Sequence, residues 1–373
     1  MSKRNKKRLT RRQQEIRRKR LKKRRRRRRL VIILELIILC ILGTTAFGLF
    51  KLGKMERTNL SNIKNNGLKQ TGYTNVALFG LDSREKNLGK GNRTDTIMIA
   101  SINNETKKVK LVSVYRDTML KQNGEHYDKA NAAYSVGGPE TAVNMLNENL
   151  DLDIQDYVSV NFLALADVID MVDGITVKLT DEEVVHMNNY CVETSEKTGA
   201  SYEPIEKPDP KPEDESKILG TYHLNGVQAT SYCRIRYTSG WDMKRTERQR
   251  YIISLMVEKA KKASLSTLND IMDEVFPMIK TNFTKTELIQ LGMGILSYQL
   301  GDTQGFPKSN IMGEDVKDAI GIDCVVPTTL EANVKQLHAF LFDQEDYSPS
   351  ETVLKRSDYI AAHTGFGNDY VSD

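Results

Sequence analysis

The stretch TNVALFGLDSREKNLGKGNRTDTIMIASINNETKKVKLVSVYRD, residues 74–117, decides the fold class of this chain. It contains three apolar runs rich in β-branched residues: Thr74–Leu81, Thr96–Ile102 and Val109–Tyr115. Each run has the length and composition of a β-strand. The polar residues 103–105 form a turn between the second and third runs, so we expect antiparallel neighbours. The sequence therefore predicts an up-down-up meander at the centre of the fold.

Each of the three predicted strands has charged residues at one of its ends. A meander brings these three ends to the same edge of the sheet. The charged residues are Asp82 and Arg84 after the first strand, Arg93 and Asp95 before the second, and Arg116 and Asp117 after the third. Ordinary polar caps on buried strands would explain any one of these groups, but explain all of them together poorly. Because strand ends commonly build binding sites, we predict a site of carboxylates and guanidinium groups at this edge.

A second group of arginines lies in SYCRIRYTSGWDMKRTERQR, residues 231–250. Arg234 and Arg236 are two apart on a predicted strand, Ser231–Tyr237, so their side chains share one face. The helix predicted from Asp242 carries three more polar side chains at helical spacing, namely Arg245, Arg248 and Gln249.

Cations stacked in this way are unfavourable unless carboxylates or a ligand anion neutralise them. Guanidinium suits phosphate because its planar fork makes bidentate contacts. Solvated surface arginines are the alternative interpretation, and we assign Arg250 and Lys244 to it. The pattern as a whole favours an anion site.

Two aspartates beside several arginines indicate phosphate chemistry assisted by a metal ion. Two aspartates would suit a hard cation such as Mg²⁺, with phosphate oxygens completing the coordination shell. The arginines would stabilise the charge that develops as a phosphoryl bond breaks. The sequence has no Walker loop, GxGxxG, HExxH or GxSxG motif, which argues against a nucleotide, a zinc protease and a serine hydrolase. A diphosphate is the natural ligand for so many cations.

The remaining patterns place strands and helices in alternation. Further strands are expected at 156–162, Ile175–Leu179 and Ser231–Tyr237, and helices at 139–150, 162–172, from Asp242, near 266–279 and at 285–299. This mixture predicts an α/β fold with a mixed central β-sheet sandwiched by helices.

The charge of the chain is divided very unevenly. The net charge is +6, but residues 1–29 hold 19 of the 55 basic side chains and one of the 49 acidic ones, so they carry +18 and the remainder carries −12. The run LVIILELIILCILGTTAFGLF, residues 30–50, is long and apolar enough to span a bilayer as a single N-terminal transmembrane helix. Basic residues stay in the cytoplasm, which predicts a single-pass membrane protein with residues 51–373 outside.

A nucleic-acid partner is a poor interpretation of the basic tail. No aromatic residue interrupts KKRRRRRR to stack on bases, and such a block beside a membrane helix is more often a topology signal or a contact with anionic lipid. Outside the anchor, Cys191, Cys233 and Cys324 show no metal-ligand spacing, so one disulfide or three buried thiols remain equally open.

The predicted domain boundaries follow from composition. Residues 1–29 form a cytoplasmic tail, 30–50 the transmembrane helix, 51–70 an extracellular stalk, 71–345 the catalytic domain and 346–373 a polar C-terminal tail. Four of the nine prolines fall between 204 and 212, so we expect residues 204–217 to form an exposed acidic excursion.

The ordered set of motifs resembles the LytR-CpsA-Psr family of cell-envelope proteins. The motifs are NVALFGLDSR (75–84), RTDTIMIAS (93–101), VSVYRDT (112–118), KANAAYSVGG (129–138), VDGI (172–175), LNGVQATSYCRIRY (224–237) and RTERQ (245–249). The resemblance covers roughly 74–250. The third motif usually has proline before the arginine, and Tyr115 stands there in this chain.

The resemblance implies a phosphotransferase that moves an anionic glycopolymer, a teichoic acid or capsular polysaccharide, from a polyprenyl-diphosphate carrier to peptidoglycan of a Gram-positive wall. It implies that Asp82 and Asp95 hold the metal and that Arg116 serves the reaction. The diphosphate contacts it implies are Arg93, Arg116, Arg234, Arg236, Arg245 and Gln249, with Arg84 close by. An extracellular module that senses lipid-linked precursors, and a polyprenyl-diphosphate pyrophosphatase, are the alternatives.

Overall fold

A computed structural model of the chain describes residues 48–81, 88–161, 163–207 and 214–367. It divides into two compact units, Met1–Gly53 and Lys54–Asp373. In the first unit the described residues 48–52 are helical. Most of the predicted membrane segment, together with Asp82 and Arg84, lies outside the described residues. Across the described ranges, no helix has both the length and the apolar character needed to cross a bilayer.

The second unit contains thirteen strands and ten helices in its described part. The strands are β1 (Glu56–Arg57), β2 (Tyr73–Leu81), β3 (Thr94–Asn103), β4 (Lys108–Val114), β5 (Met119–Lys121), β6 (Tyr127–Lys129), β7 (Ile154–Asn161), β8 (Ile175–Thr180), β9 (Ile218–Leu224), β10 (Ile279–Thr281), β11 (Gln299–Phe306), β12 (Asn310–Ile311) and β13 (Val326–Pro327). The helices are α1 (Ala132–Leu150), α2 (Leu163–Met171), α3 (Asp181–Thr198), α4 (Gly226–Tyr232), α5 (Trp241–Lys262), α6 (Leu265–Val275), α7 (Lys285–Gly294), α8 (Glu314–Ile320), α9 (Leu330–Phe342) and α10 (Glu351–Thr364).

Seven of the strands form one mixed sheet in the order β1-β10-β7-β2-β3-β4-β11. The predicted meander is confirmed, because β3 pairs antiparallel with both β2 and β4. Leu81 lies opposite Thr94, and Ile97 lies opposite Val114. The end of β2, the start of β3 and the end of β4 therefore lie at one edge of the sheet, as the sequence analysis expected.

The alternation of side chains along β2 explains why helices cover both faces of the sheet. Ala77 and Phe79 join the main hydrophobic core with helices α1, α9 and α10, whereas Leu78 points to the opposite face, where α2 and α5 lie. The predicted α/β architecture, a mixed sheet between helices, is confirmed in the described residues.

A second core lies beside the main sheet. Strands β8 and β9 form a separate two-stranded sheet, and helices α3, α4 and α5 pack around it through Met187, Val227 and Ile252. Helix α3 begins at a capping box in which the Thr180 hydroxyl accepts from the backbone N–H of Glu183. The predicted strand Ile175–Leu179 is thus confirmed, but it does not belong to the seven-stranded sheet.

The predicted strand Ser231–Tyr237 is wrong. Asn225 caps a short helix that runs to Tyr232, and its capping box with Gln228 satisfies the first backbone donors. The chain then passes through turns to Gly240, whose φ of 87° suits glycine, before α5 begins. Local capping therefore overrides the β-branched and aromatic residues that suggested a strand.

The ends of the chain pack on the domain more closely than its composition suggested. In the predicted stalk, the backbone N–H of Ser61 donates to Glu140 of α1 at 2.6 Å, and Leu60 packs against the main core. In the predicted polar tail, α10 buries Val353 and Ile360 in the same core. The helices predicted at 266–279 and 285–299 are shorter, ending at Val275 and Gly294.

Candidate active site

A polar cavity of about 170 Å³ lies at the sheet edge where the meander collects its charges. Six of the residues expected to form the site line it: Asp95, Arg116, Arg234, Arg236, Arg245 and Gln249. The structure therefore brings together residues that are up to 154 positions apart in sequence, from Asp95 to Gln249. Arg234 lies in a turn and Arg236 in the irregular segment that follows it, so their shared orientation comes from the tertiary fold and not from strand alternation.

Arg116 lies between two carboxylates. Its Nη1 donates to Asp95 Oδ1, and its Nε lies 3.5 Å from Asp117 Oδ2. Lys129 approaches the other Asp117 oxygen at 3.6 Å. Burial favours loss of the proton from Arg116, but the attraction of Asp95 and Asp117 outweighs it and raises the pKa of Arg116. Arg116 is therefore a permanent cation at the cavity wall.

Asp242 holds a second pair of arginines and was not singled out by the sequence analysis. Its Oδ1 lies 2.8 Å from Arg245 Nη2 and 3.8 Å from Arg236 Nε. Burial raises the pKa of Asp242, although Arg245 and Arg236 oppose the shift. Burial lowers the pKa of Arg245 to about 10, with Asp242 opposing it. Arg245 also donates from Nη2 to the carbonyl of Asp95 at 3.2 Å, which joins the two clusters.

Helix α3 supplies a fourth carboxylate, and no motif indicated it. Glu193 Oε2 accepts from Arg234 Nη2 at 2.7 Å, and the Arg234 guanidinium lies over the Tyr190 ring at 5.2 Å. Lys197 lies 2.7 Å from the other oxygen of Glu193. Spacing of four residues between Glu193 and Lys197 indicated only a surface ion pair, so the sequence held no signal for this role.

A larger apolar cavity of about 400 Å³ adjoins the polar one. Its walls are Leu78 and Met98 of the sheet, with apolar side chains of α2, α5 and α6. Cys233 and Gln249 line both cavities. Gln249 donates from Nε2 to the carbonyl of Cys233 at 3.3 Å, and its Oε1 is buried without a hydrogen-bond partner. The two cavities together suit a ligand with a charged head and an apolar tail.

Comparison with known protein families matches residues 48–326 to the LytR_cpsA_psr family. This match covers well over half of the chain. The chain belongs to the LytR-CpsA-Psr family.

Individual relatives agree with this assignment. The chain is 28% identical over 222 residues to the polyisoprenyl-teichoic acid–peptidoglycan teichoic acid transferase TagT of Bacillus subtilis, covering 58% of this chain and 62% of that protein. It is 28% identical over 242 residues to the corresponding transferase TagU of Enterococcus faecalis, covering 64% and 70%. The match thus spans less than two thirds of the length of TagT.

Among solved structures, the fold is similar to that of the LytR-CpsA-Psr protein TagT with bound octaprenyl pyrophosphate lipid. The TM-score is 0.53 with 20% identity, and the alignment covers 76% of this chain and 99% of that one. A similarity at this level of identity concerns the fold.

The structure corrects two predictions for arginines in and near the family motifs. Arg248 does not line the polar cavity: its Nε donates to Glu183 at 2.9 Å, and its guanidinium lies over the Tyr232 ring. Arg250, assigned to the solvated surface, is buried and donates to Thr303. Both arginines are therefore structural. Their spacing on α5 could not distinguish them from Arg245, because neighbouring helices and strands cover several sides of this helix.

Arg93 is described and exposed, and it is absent from the cavity wall. Its expected contact with diphosphate therefore stays a prediction, as do the roles of Asp82 and Arg84, which lie outside the described residues. In the described ranges, Cys191, Cys233 and Cys324 are all free and buried, which settles the question of a disulfide among them.

Asp95 is the one predicted metal ligand that the structure describes. Its carboxylate lines the cavity and is partly exposed, and the bond from Arg116 uses its Oδ1. A hard carboxylate oxygen beside a phosphate-sized cavity fits Mg²⁺ or Mn²⁺. Within the described ranges, no three acidic, histidine or cysteine side chains form a complete metal cluster. The donor set is therefore compatible with a metal shared with a phosphate ligand.

Proposed function

We propose that this chain is a membrane-anchored glycopolymer phosphotransferase. It takes an anionic polymer, a teichoic acid or a capsular polysaccharide, from a polyprenyl-diphosphate carrier and attaches it to peptidoglycan. The basic tail of residues 1–29 stays in the cytoplasm, residues 30–50 span the membrane, and the domain works at the outer face of a Gram-positive cell.

One observation carries this proposal: the polar cavity and the apolar cavity share two lining residues, Cys233 and Gln249. A polyprenyl diphosphate has a strongly anionic head joined to a long apolar tail. Arg116, Arg234 and Arg245 suit the head, whereas the adjoining cavity removes apolar surface from water, which is favourable at roughly 25 cal/mol per Å². A soluble nucleotide or sugar phosphate has no long apolar tail, so it would occupy only the polar cavity.

The relatives support the same substrate class. TagT and TagU bear the name of a polyisoprenyl-teichoic acid–peptidoglycan transferase, and a structurally similar TagT holds an octaprenyl pyrophosphate lipid.

In the proposed reaction, a hydroxyl oxygen of the peptidoglycan sugar attacks the phosphorus that bears the polymer. The bond from that phosphorus to the bridging oxygen breaks, and its electron pair leaves with polyprenyl phosphate. The proton of the hydroxyl passes to a carboxylate at the site. Arg116, Arg236 and Arg245 hold the phosphate oxygens and stabilise the charge that collects on them in the transition state.

Asp95, with Asp82 as the family resemblance implies, would hold Mg²⁺ or Mn²⁺. When bound, such an ion neutralises phosphate charge as a Lewis acid. The residues of this chain orient the diphosphate. Arg245 is held between Asp242 and the backbone carbonyl of Asp95. Gln249 lies at the junction of the cavities, and its Nε2 group, which donates to the carbonyl of Cys233, is the part of this side chain that can donate to a phosphate oxygen.

The test uses the full-length chain in detergent with a polyprenyl-diphosphate-linked glycan and a peptidoglycan oligomer. Mass spectrometry of the acceptor should show an added glycan phosphate in the presence of Mg²⁺. Arg116→Ala should lower the transfer rate about a hundredfold or more, because one electrostatic donor to the transition state is lost. Lys244→Ala is the matched control, since Lys244 lies on α5 beside Arg245 but pairs with Glu247 outside the cavity.

Each outcome decides between the proposal and its alternatives. Release of polyprenyl phosphate at the same rate without the acceptor would indicate a pyrophosphatase. Binding of donor with no turnover under any metal condition, combined with loss of cellular function when residues 1–29 are deleted, would indicate a sensor. Transfer that is insensitive to Arg116→Ala would show that the assigned cavity is not the active site.

A further inference from the structure

Two exposed aromatic side chains beside the polar cavity have no role in the proposed reaction. Tyr237 and Trp241 are 63% and 61% exposed, and Trp241 is the one tryptophan in the sequence. Tyr237 lines the polar cavity, and the two ring centroids lie 6.3 Å apart with their planes at 71°, an edge-to-face contact. We call these two residues the aromatic pair. Tyrosine and tryptophan are enriched at binding surfaces, because they offer a large contact area at a small cost in side-chain entropy.

The backbone holds Trp241 in a conformation that an aromatic residue rarely adopts. Its φ is 44°, in the left-handed region, and it follows Gly240, whose φ is 87°. A bulky residue in this region is strained, and such strain is concentrated at functional sites. The backbone N–H of Trp241 donates to the carbonyl of Thr238 at 3.1 Å, which closes the turn between the two rings. Because most of the indole is in solvent, packing in the core does not account for the strained turn.

Helix α5 places the aromatic pair, the polar cavity and the apolar cavity in order along its axis. Trp241 is the first residue of the helix, and Arg245 lines the polar cavity one turn further on. Gln249 lies at the junction of the cavities after another turn, and Ala260 lines the apolar cavity near the end of the helix. From Gln249 back to Trp241 is eight helical residues, about 12 Å in the direction away from the apolar cavity.

This order indicates the direction from which the acceptor approaches. In the proposed reaction, polyprenyl phosphate is the leaving group, and its tail lies in the apolar cavity. Phosphoryl transfer places the attacking and leaving oxygens roughly in line, on opposite sides of the phosphorus. The attacking hydroxyl therefore comes from the end of the polar cavity that is remote from the apolar cavity, which is the end where α5 begins with Trp241. The polymer on the same phosphorus lies to the side of this line.

The acceptor sugar needs a binding surface other than the arginines. The hydroxyl and N-acetyl groups of a peptidoglycan sugar are uncharged, whereas guanidinium forks are suited to phosphate and carboxylate. The face of such a sugar ring carries C–H groups with a slight positive charge, and the face of an aromatic ring is negative. A sugar ring therefore stacks on an exposed aromatic face while its hydroxyl groups at the edge keep their polar contacts.

We propose that the aromatic pair is the acceptor subsite, where an N-acetylated amino-sugar ring of peptidoglycan stacks on Trp241 with Tyr237 beside it. The stack holds the attacking hydroxyl at the mouth of the polar cavity, in line with the bound diphosphate. The subsite rests on the proposed function, because it requires a sugar acceptor. It makes Trp241 an acceptor-binding residue that takes no part in proton transfer.

The single tryptophan allows the binding to be measured directly. The full-length chain in detergent, without lipid donor, is titrated with a tetrasaccharide of alternating N-acetylglucosamine and N-acetylmuramic acid, and the emission of Trp241 is recorded. Stacking removes the indole from water, so the emission maximum should move to shorter wavelength and the shift should saturate. Tyr237→Ala should weaken this binding about fivefold or more, because truncating an aromatic side chain at the centre of a binding surface is costly. Tyr251→Ala is the matched control, since Tyr251 is an exposed tyrosine of α5 that does not line the polar cavity.

A substitution that suits the backbone separates binding from folding. Trp241→Gly fits the left-handed φ, so the temperature of thermal unfolding should stay the same or rise. The KM for the peptidoglycan acceptor should nevertheless rise about tenfold, while the KM for the lipid donor stays the same. Trp241→Phe should recover most of the acceptor binding, because an aromatic face is kept.

Several results would contradict the proposal. An emission maximum that does not respond to the tetrasaccharide would overturn it, as would an unchanged acceptor KM in Trp241→Gly. A response to the polyprenyl-diphosphate-linked glycan alone would also overturn it and would assign the aromatic pair to the polymer of the donor. Binding of the tetrasaccharide without transfer would overturn the proposed function, whereas transfer without an emission response would overturn only the acceptor subsite. The two failures are therefore distinguishable.

Discussion

Arg245 provides the sharpest test of the site, because its charge is expected to serve function at the expense of stability. The side chain is only 3% exposed and pairs with Asp242 at 2.8 Å. Burial nevertheless lowers the pKa of Arg245 from 12.5 to about 10. The desolvation of the guanidinium therefore exceeds the attraction of its carboxylate partner. Replacing it with an apolar side chain of similar length, Arg245→Met, should raise the free energy of unfolding.

The size of the effect follows from two opposing contributions. A fall in pKa from 12.5 to about 10 corresponds to about 3 kcal/mol of unfavourable free energy for the charged form at neutral pH. Arg245→Met also loses the hydrogen bond to the carbonyl of Asp95, about 1 kcal/mol. The attraction between Arg245 and Asp242 is already contained in the pKa of Arg245. We therefore expect a net stabilisation of about 2 kcal/mol, which raises Tm by about 3 °C in a domain that extends from Lys54 to Asp373.

The assay compares thermal unfolding and transfer for the full-length chain in detergent at neutral pH. Arg245→Met should raise Tm and lower transfer about a hundredfold, since the phosphate loses a cation. Arg236→Met is the control, because Arg236 shares Asp242 at 3.8 Å but is a third exposed and gains little from leaving water. A lower Tm for Arg245→Met would refute the reasoning, because it would mean that Asp242 stabilises Arg245 by more than burial destabilises it.

Further predictions concern the surroundings of the two cavities. A Cβ at Gly305 would lie 2.6 Å from Cζ of the buried Tyr115, so Gly305→Ala should destabilise the fold by about 1–3 kcal/mol in urea unfolding, and adding Tyr115→Phe should recover part of it. Burial raises the pKa of Tyr115 to about 12; the folded state therefore keeps this proton while the unfolded state loses it, and the free energy of unfolding should fall between pH 10 and 12, less steeply in Tyr115→Phe. Cys233→Phe should obstruct the junction of the cavities and raise KM for the lipid donor about tenfold, whereas Cys233→Ala should not. Glu193→Gln should release the Arg234 guanidinium and change transfer by less than tenfold, with unchanged Tm because Glu193 is half exposed.

The central sheet could be predicted from sequence because its signals are local. The three apolar runs of the meander have strand length, and short polar turns fix their antiparallel order. The edge strand β11 was missed because Gln299–Phe306 is polar and glycine-containing, and it gains its place by pairing in parallel with β4. Helix α10 was missed because its apolar residues are few, and its stability comes from contacts with the distant helix α1.

In the candidate site, too, residues next to recognisable strands and helices could be predicted, whereas residues whose partners are distant in sequence could not. The sequence indicated Asp95 and Arg116, which lie at the ends of strands at one edge of the sheet, and Arg245, which lies near the start of α5. It did not indicate Asp242 or Glu193, because each is a single acid whose partners come from other parts of the chain. The helical spacing of Arg245 and Arg248 predicted one shared site for both side chains. In the structure Arg248 instead forms an ion pair with Glu183.

The acids of the cavity belong to the anion site as much as the arginines do. Arg116 pairs with Asp95, Arg234 pairs with Glu193, and Arg245 pairs with Asp242. A cluster of bare guanidinium groups would repel one another, so these carboxylates offset part of the positive charge of the cavity before a ligand enters. A diphosphate that binds the same guanidinium forks must exchange places with carboxylate oxygens, since each fork offers a limited number of N–H donors. The exchange releases carboxylates at the moment when the reaction needs an oxygen ligand for a cation and an acceptor for the hydroxyl proton. We infer that the acids orient the guanidinium groups and reduce their mutual repulsion in the empty site, and that diphosphate binding frees these acids for the reaction.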